Sequence, residues 1–269
     1  MPKADTGTYV YCLVASPRQP PLARVPPGLP GMGRPRLIEL ADTPRKARLS
    51  QWLVVSDAPL DRYGEDAIGR GLSDLDWVAR AAVAHEAVIE SFTSAPAVLP
   101  MKLFTIFAND DRARQHMRGE ARRTEALVRR VAGHQEWGVR VMLDRTGVPA
   151  AARGRPAGPE SATGASGRVF LLQKKAALEA ATELAQHAQD TAAGLYDRLS
   201  NQARDAARRA AGELPVQGGP LVLDAAFLVA VRKSARFRAT VAREARALER
   251  HGYRVSLTGP WPPYTFVKD

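Results

Sequence analysis

The feature that most constrains the fold of this chain is a proline-rich, aromatic segment near its C-terminal end. Three prolines within four positions stiffen the backbone and remove amide donors. Trp261, Tyr264 and Phe266 add large apolar rings to this stiff arm. Because buried aromatics dominate core energetics, we expect the arm to dock on the folded body, with Trp261 as main anchor; presentation to a partner is the alternative. The full motif consists of Gly259, Pro260, Trp261, Pro262, Pro263, Tyr264 and Phe266.

Length and composition are those of a globular protein with one large or two ordinary domains. The chain has 269 residues, of which 45% are hydrophobic and 25% are charged. The single cysteine, Cys12, excludes an internal disulfide, and its apolar neighbours predict a buried, inert thiol. No run reaches the roughly 20 apolar residues of a membrane span, and the first residues lack a signal-peptide core. We therefore expect a soluble, cytoplasmic protein without membrane contact.

A net charge of +11 predicts attraction to polyanions or to acidic protein surfaces, without choosing between them. Arg114, Arg118 and Arg122 recur at intervals of four in a predicted helix, so their like charges share one face. The face is either exposed to solvent, with Glu120 and Glu125 reducing the repulsion between the arginines, or it docks an acidic partner. These three arginines are the candidate partner-binding residues.

Apolar patterns in the first half of the chain predict a small sheet with helices. Strands are expected where β-forming residues concentrate, and a loop where proline and glycine do, over residues 17–35. An apolar stretch broken by two prolines, residues 96–107, is expected to be extended. The predicted strands are residues 8–15, 37–41, 52–56 and 139–143.

Two helices are predicted between the extended segments. Ser73 is expected to cap the first helix, whose apolar face contains His85, and Asn109 is expected to cap the second. A lone histidine on such a face is expected to be a hydrogen-bonded core residue. The first apolar face comprises Val78, Ala81, Ala82, His85, Val88, Ile89 and Phe92, and the second comprises Ala113, Met117, Ala121, Thr124, Leu127, Val128 and Val131.

The second half begins with a small, polar segment, residues 150–167, that predicts a flexible linker. Residues 168–211 are predicted to be mostly helix with a heptad-like seam. Because the seam is mostly alanine, it buries little area and needs packing on the second domain or on a partner. The seam comprises Leu178, Ala181, Ala185, Ala188, Ala192, Leu195 and Leu199.

The remaining residues predict a hairpin, a helix and a last strand. Strands over 213–217 and 221–231 are expected to flank Gly218-Gly219. An amphipathic helix over 237–248 follows, with Gly252 placed to cap its end. The last predicted strand is 253–257, which Gly259 and Pro260 are expected to stop.

These elements predict an α+β fold with two domains. Residues 1–148 are expected to form an N-terminal α+β domain, and residues 149–167 a flexible loop or linker. Residues 168–269 are expected to form a C-terminal α+β domain that contains the long helix and the docked arm.

Sequence patterns of known catalytic and metal sites are missing. The chain has no GxxxxGK phosphate loop, no GxGxxG after a strand, no GxSxG elbow and no HExxH. Two close carboxylate pairs, Asp74 with Asp76 and Asp110 with Asp111, stand at predicted helix starts, where acids favour the helix dipole. RNP-like strings and zinc fingers are also missing. We therefore expect no enzyme, no cofactor, no metal and no nucleic-acid ligand.

The terminal motif resembles the C-terminal signature of the gas vesicle protein F/L family, and weaker motifs precede it in the family's order. Tyr9-Val10-Tyr11 is similar to the opening tyrosine-rich strand, and His85 matches the usual helix histidine. Residues 98–104 resemble an LPxRFG-type strand, but Lys102-Leu103-Phe104 departs from the Arg-Phe-Gly pattern. Residues 168–171 resemble the family's entry to the long helix, and residues 225–229 resemble its AYLV strand.

The resemblance implies a two-domain α+β fold with ferredoxin-like elements and a long helix. It implies a non-catalytic accessory protein of gas vesicle formation, which binds the shell protein and other accessory proteins during assembly. The departure at Leu103-Phe104 leaves the F or L subtype open. The charge keeps a nucleic-acid-binding or regulatory protein as an alternative, and a minor structural component of the vesicle shell is a third. The sequence predicts no oligomeric state.

Overall fold

The structure is a computed structural model that describes residues 5–40, 49–144, 165–209 and 219–267. The chain divides into two compact units, residues 1–136 with 260–269 and residues 137–259. Two separate sheets and a long helix give a mixed α+β fold, as predicted.

The first unit is built on a sheet whose central strand is fully buried. β1 lies between β3 on one side and β4 and β5 on the other, and the strand order is β2-β3-β1-β4. Residues 7–15 of β1 are all buried, which agrees with their nearly continuous apolar sequence. Three predicted strands correspond to β1, β2 and β3, with shifted ends. The strands are β1 (Thr6–Ser16), β2 (Arg36–Glu39), β3 (Ser50–Pro59), β4 (Ala97–Pro100) and β5 (Ile106–Phe107).

Five helices lie within the described residues of the first unit. The predicted apolar face of α3 is buried at Ala81, His85, Val88 and Ile89. Its N-cap is Asp74, which accepts hydrogen bonds from the backbone N–H groups of Asp76 and Trp77. Ser73, the predicted cap, instead donates to the carbonyl of Arg70 and closes the preceding turn. The helices are α1 (Leu60–Tyr63), α2 (Glu65–Gly71), α3 (Leu75–Glu90), α4 (Asp110–Gly119) and α5 (Ala121–Val131).

The second predicted helix of this unit is in fact two helices, α4 and α5. Asn109 caps α4 as predicted, and its side chain accepts from the N–H of Arg112 at 3.0 Å. The helix is interrupted at Glu120, where ψ is 8°, directly after the weak helix former Gly119. The predicted apolar stripe is confirmed at Ala113, Met117, Thr124, Val128 and Val131, which are buried. Leu127 is half-buried, and Ala121, just after the break, is exposed, contrary to the prediction.

The second unit packs two helices on a four-stranded sheet of order β7-β8-β6-β9. Its core joins residues of the sheet, such as Val139 and Phe227, to Leu195 and Leu199 of α6 and Phe237 of α7. The elements are β6 (His134–Leu143), α6 (Ala165–Ser200), β7 (Asp205–Arg208), β8 (Leu221–Ala230), a 3-10 turn (Val231–Lys233), α7 (Ser234–Glu249) and β9 (Tyr253–Trp261).

The long helix is shorter than predicted, because α6 ends at Ser200 and not near residue 211. A turn follows, in which the N–H of Ala203 donates to the carbonyl of Ser200. Residues 205–208 then pair antiparallel with β8, so a ladder overrides the helix propensity of this alanine-rich sequence. The predicted partner strand over 213–217 lies outside the described residues.

The alanine seam of α6 is buried only in its C-terminal half. Ala188, Ala192, Leu195 and Leu199 belong to the core of the second unit. Farther towards the N-terminus, the Leu178 side chain is 69% exposed. The rest of the second unit therefore provides the expected packing for the C-terminal half of the seam.

β9 does not stop at Gly259 and Pro260, contrary to the prediction, but continues to Trp261. It is the outermost strand of its sheet, where a proline removes no ladder bond on the open side. Gly259 has φ of 117°, a conformation that glycine adopts without strain.

The two units differ from the predicted domain bounds in two places, the strand β6 and the terminal arm. Residues 137–144 were predicted in the N-terminal domain but belong to the second unit, because Val139 and Val141 pack in its core. Residues 260–269 belong to the first unit, whereas the prediction grouped them with residues 168–259. The physical reason is burial, since Pro262, Pro263 and Phe266 pack in the first unit. β6 begins in the first unit and β9 ends in it, so both strands cross the division. Residues 149–164 of the expected linker over 149–167 lie outside the described residues, whereas residues 165–167 are the first residues of α6, contrary to the prediction.

Candidate functional site

Tyr9 of β1 and His85 of α3 form one buried polar chain. The hydroxyl of Tyr9 donates to Nδ1 of His85 at 2.7 Å, and Nε2 of His85 donates to the carbonyl of Met101 at 3.2 Å. The N–H of Phe104 in turn donates to the Tyr9 hydroxyl at 3.4 Å. Both bonds require a neutral imidazole that carries its proton on Nε2. Burial favours this neutral form, because it lowers the pKa of His85. As predicted, His85 is a hydrogen-bonded core residue.

Aromatic stacking holds the segment after β4, where the sequence departs from the family's pattern. Phe104 has φ of 64°, which is unusual for a residue other than glycine. Its ring stacks on Trp77 with centroids 5.0 Å apart, and Trp77 also stacks on Tyr63. A backbone conformation that favours glycine is therefore occupied here by an aromatic residue that gains a stacking partner.

An ion pair that the sequence did not reveal joins β2 to the start of α4. Arg36 makes a bidentate contact with Asp110, with N–O distances of 2.8 and 2.9 Å, and Thr8 donates to the same carboxylate at 2.7 Å. The Arg36 guanidinium lowers the pKa of Asp110. Arg36 also contacts Asp57 at 2.6 Å. Asp110 therefore does more than favour the helix dipole, because it ties three elements together.

The terminal arm is docked through its end rather than through its tryptophan. Phe266 is 2% exposed, while Trp261 is 38% exposed, so the expectation that Trp261 is the main anchor is wrong. Arg130 donates to the Phe266 carbonyl at 3.3 Å and lies over its ring. Thr265 is bonded to Glu136, a carboxylate that is only 2% exposed. Tyr264 packs against the core of the first unit.

The sequence reasoning missed Glu136, although its position offers a signal. It stands three residues before the predicted strand 139–143, next to Trp137, and the structure places it inside β6. A buried carboxylate requires hydrogen-bond donors, and the arm supplies two of them. An acid within a strand could therefore have pointed to a polar anchor.

The three candidate arginines lie on α4 and α5, on both sides of the break at Glu120. Arg114 pairs with Asp111 at 3.1 Å and is half-buried, whereas Arg118 and Arg122 are exposed. Glu120 and Glu125 were expected to reduce the repulsion among the three arginines. In the structure, Glu120 pairs with Arg123 at 3.5 Å and Glu125 pairs with Arg129 at 3.9 Å. The region is thus a basic surface with partial pairing.

Two surface depressions in the first unit were not predicted. An apolar groove of about 570 Å³ lies between α1, α2 and residues 104–108. A smaller cleft of about 300 Å³ is lined by Arg62, Tyr63, Trp77 and Arg80. Neither brings together a nucleophile with a base.

The described residues contain no group of three or more histidine, cysteine, aspartate or glutamate side chains suited to a metal ion. Cys12 is buried as predicted, and its burial raises the thiol pKa. No helix in the described part of the chain combines the length and the apolar character of a membrane span.

Comparison with known proteins places this geometry in a family. A family model described as gas vesicle synthesis protein GvpL/GvpF matches residues 7–268. Gas vesicle protein L of Streptomyces sp. (strain CB03234) is 31% identical over 267 residues, which cover 98% of this chain and 93% of that protein.

Solved structures support the fold. The crystal structure of GvpF from Anabaena sp. PCC7120 is similar with a TM-score of 0.66 and 15% identity, covering 98% of this chain and 97% of that one. GvpF from Microcystis aeruginosa gives a TM-score of 0.63 and 16% identity, with 98% and 99% covered. The match of the family model along nearly the whole sequence, together with the relative at 31% identity, establishes that this chain belongs to the GvpL/GvpF family of gas vesicle synthesis proteins.

Proposed function

We propose that this protein is a non-catalytic accessory factor needed for gas vesicle formation, which binds the shell protein and other accessory proteins during assembly. The observation that carries the proposal is the family match over residues 7–268. The motif residues support it, because Tyr9, Tyr11, His85 and Phe266 are buried and hold the fold together. Its exposed surfaces are then left to carry the function.

Deletion of the gene in a vesicle-forming host tests this role. We expect few or no vesicles, and restoration by the intact gene. Normal vesicle numbers in the deletion strain would contradict an essential assembly role. Stringent washing of purified vesicles separates an assembly factor, which is lost, from a minor shell component, which stays in a fixed ratio.

The basic surface of α4 and α5 is the proposed docking face, with Arg114, Arg118 and Arg122 at its centre. Exposure of Arg118 and Arg122 supports it. An acidic surface on a partner would replace the mutual repulsion of these cations by attraction.

Charge reversal tests the docking face. Arg118→Glu with Arg122→Glu is expected to weaken capture of the shell protein or of another accessory protein at least tenfold. The matched control is Arg232→Glu, an exposed arginine of the 3-10 turn in the second unit. If capture of every partner is unchanged, the arginines form a solvent-exposed surface without a docking role.

Nucleic-acid binding is the second candidate, favoured by the net charge of +11. Phosphates attract the same exposed arginines, and such binding weakens steeply as salt increases. Filter binding of DNA and RNA at two salt concentrations tests it. The absence of binding at physiological salt would remove this candidate.

A further inference from the structure

An apolar groove on the first unit is open to solvent. Its lining residues come from α1, α2 and the segment around β5, and among the described residues that line it Glu65 alone is charged. Leu72 at its border exposes 56% of its surface. An open apolar surface of this kind is typical of an interaction site. The apolar lining consists of Leu60, Tyr63, Ile68, Leu72, Phe104, Ile106, Phe107 and Ala108.

The N-terminal half of α6 in the second unit carries a surface of complementary chemistry. Leu171, Leu172 and Leu178 are 65%, 59% and 69% exposed. Leu171, Lys174 and Leu178 follow at steps of three and four, so they share one face of the helix. We name these three residues the α6 stripe; it presents a cation between two leucines.

The charge of Lys174 makes the α6 stripe a suitable occupant of the groove. Lys175 pairs with Glu179 at 3.7 Å, whereas Lys174 forms no ion pair within the described residues. In a protein with a net charge of +11, a groove whose lining charge is a carboxylate attracts a basic segment. The two leucines of the stripe stand about 10 Å apart along the helix axis, with the lysine between them.

We propose that the groove of one copy binds the α6 stripe of a second copy, with Leu171 and Leu178 in the apolar lining and Lys174 against Glu65. The groove and the stripe are different surfaces of the same chain, so the contact is head-to-tail. An open assembly therefore keeps one unused groove at one end and one unused stripe at the other. Such contacts form rings where the rotation closes and open chains where it does not.

The size of the surfaces predicts weak association. One groove and two helical turns bury less than a standard interface of about 1,600 Å², so a dissociation constant on the order of micromolar is expected. Sedimentation velocity of the full chain from about 1 to 100 μM is expected to give growth beyond the dimer.

Two single variants and their mixture test the head-to-tail geometry. Leu72→Glu damages the groove and Leu178→Glu damages the stripe, and each variant alone is expected to be monomeric. Mixed in equal amounts, they retain one intact groove facing one intact stripe. The mixture is therefore expected to give a one-to-one dimer and nothing larger.

The control is Leu75→Glu, since Leu75 is 80% exposed but does not line the groove, and this variant is expected to associate like the wild type. Because all three leucines are exposed, the variants should keep wild-type circular dichroism. A second test exchanges charges: Glu65→Lys weakens association and Lys174→Glu in the same chain restores it. A monomeric wild type, an associating Leu178→Glu variant or a mixture that stays monomeric would each overturn the proposal.

Discussion

Glu136 accepts two hydrogen bonds from Thr265, one from its backbone N–H and one from its hydroxyl, each 2.7 Å long. The two residues are 129 positions apart in sequence, and the carboxylate is almost fully buried. The terminal arm is therefore fixed by a polar anchor as well as by apolar packing.

The first prediction concerns this anchor. Thr265→Val keeps the shape of the side chain but removes the hydroxyl donor to a charged group. Hydrogen bonds to charged groups contribute about 1.5–3 kcal/mol, so we expect the free energy of unfolding to fall by that amount. Guanidinium unfolding measures it. Thr182→Val, at an exposed helix position, is the control and is expected to change stability by less than about 0.5 kcal/mol.

The second prediction ranks the aromatic residues of the arm. Phe266→Ala is expected to cost about 3–5 kcal/mol, because the ring is almost completely buried. Trp261→Ala should cost clearly less, since that ring is partly in solvent. Tyr264→Phe is the control: its buried hydroxyl has no hydrogen-bond partner among the described residues, so its removal should cost little. If Trp261→Ala lowers the melting temperature more than Phe266→Ala, the described docking is wrong.

The third prediction is a pH dependence caused by His85. Burial lowers its pKa below the ordinary value of 6.5, so the unfolded chain binds this proton more readily than the folded one. Its contribution to stability is therefore complete above about pH 6.5 and is lost as the pH falls below that value. We expect wild-type stability to fall from about pH 7 to pH 5 more steeply than that of His85→Phe.

Tyr9→Phe separates the titration of His85 from its hydrogen bond. This variant keeps a buried imidazole and removes the donor to Nδ1, so it should be less stable at every pH while keeping the steep dependence. Urea unfolding at a series of pH values measures both. Parallel curves for wild type and His85→Phe would contradict the role assigned to the histidine.

The fourth prediction compares two neighbouring carboxylates. Asp110 holds the bidentate contact with Arg36, while the Asp111 side chain is 91% exposed and pairs only with Arg114 among the described residues. Asp110→Asn should therefore destabilise by roughly 1 kcal/mol and Asp111→Asn by much less. Since Arg36 lowers the pKa of Asp110, the difference should disappear as acid protonates this carboxyl. Equal effects of the two variants at neutral pH would contradict the structural role of Asp110.

Local patterns predicted much of the fold, because they depend on neighbours in sequence. The spacing of apolar residues predicted the buried face of α3, including His85. The position of Asn109 before two acidic residues predicted its role as a helix cap. The α+β class followed from the same periodicities. These features require no knowledge of distant residues.

The errors occurred where distant residues decide the structure. Residues 205–208 have helix-forming side chains but pair with β8, and Pro260 stays in a strand because that strand is at an edge. Trp261 has the largest ring of the arm, yet the position of the arm leaves it partly in solvent. Arg36 and Asp110 are 74 positions apart, and no local pattern links them.

Synthesis of the chain follows a different order from its structure. Residues 137–259 are translated before the arm residues that complete the first unit. Thr265 and Phe266 follow every residue of the second unit in the chain, so the pocket beside Arg130 and Glu136 is filled only after the second unit has been translated. A product that terminates between residues 260 and 264 would keep every residue of the second unit and lack the arm residues that contact Glu136 and Arg130. Packing of the arm in the first unit therefore depends on translation through the whole of the second.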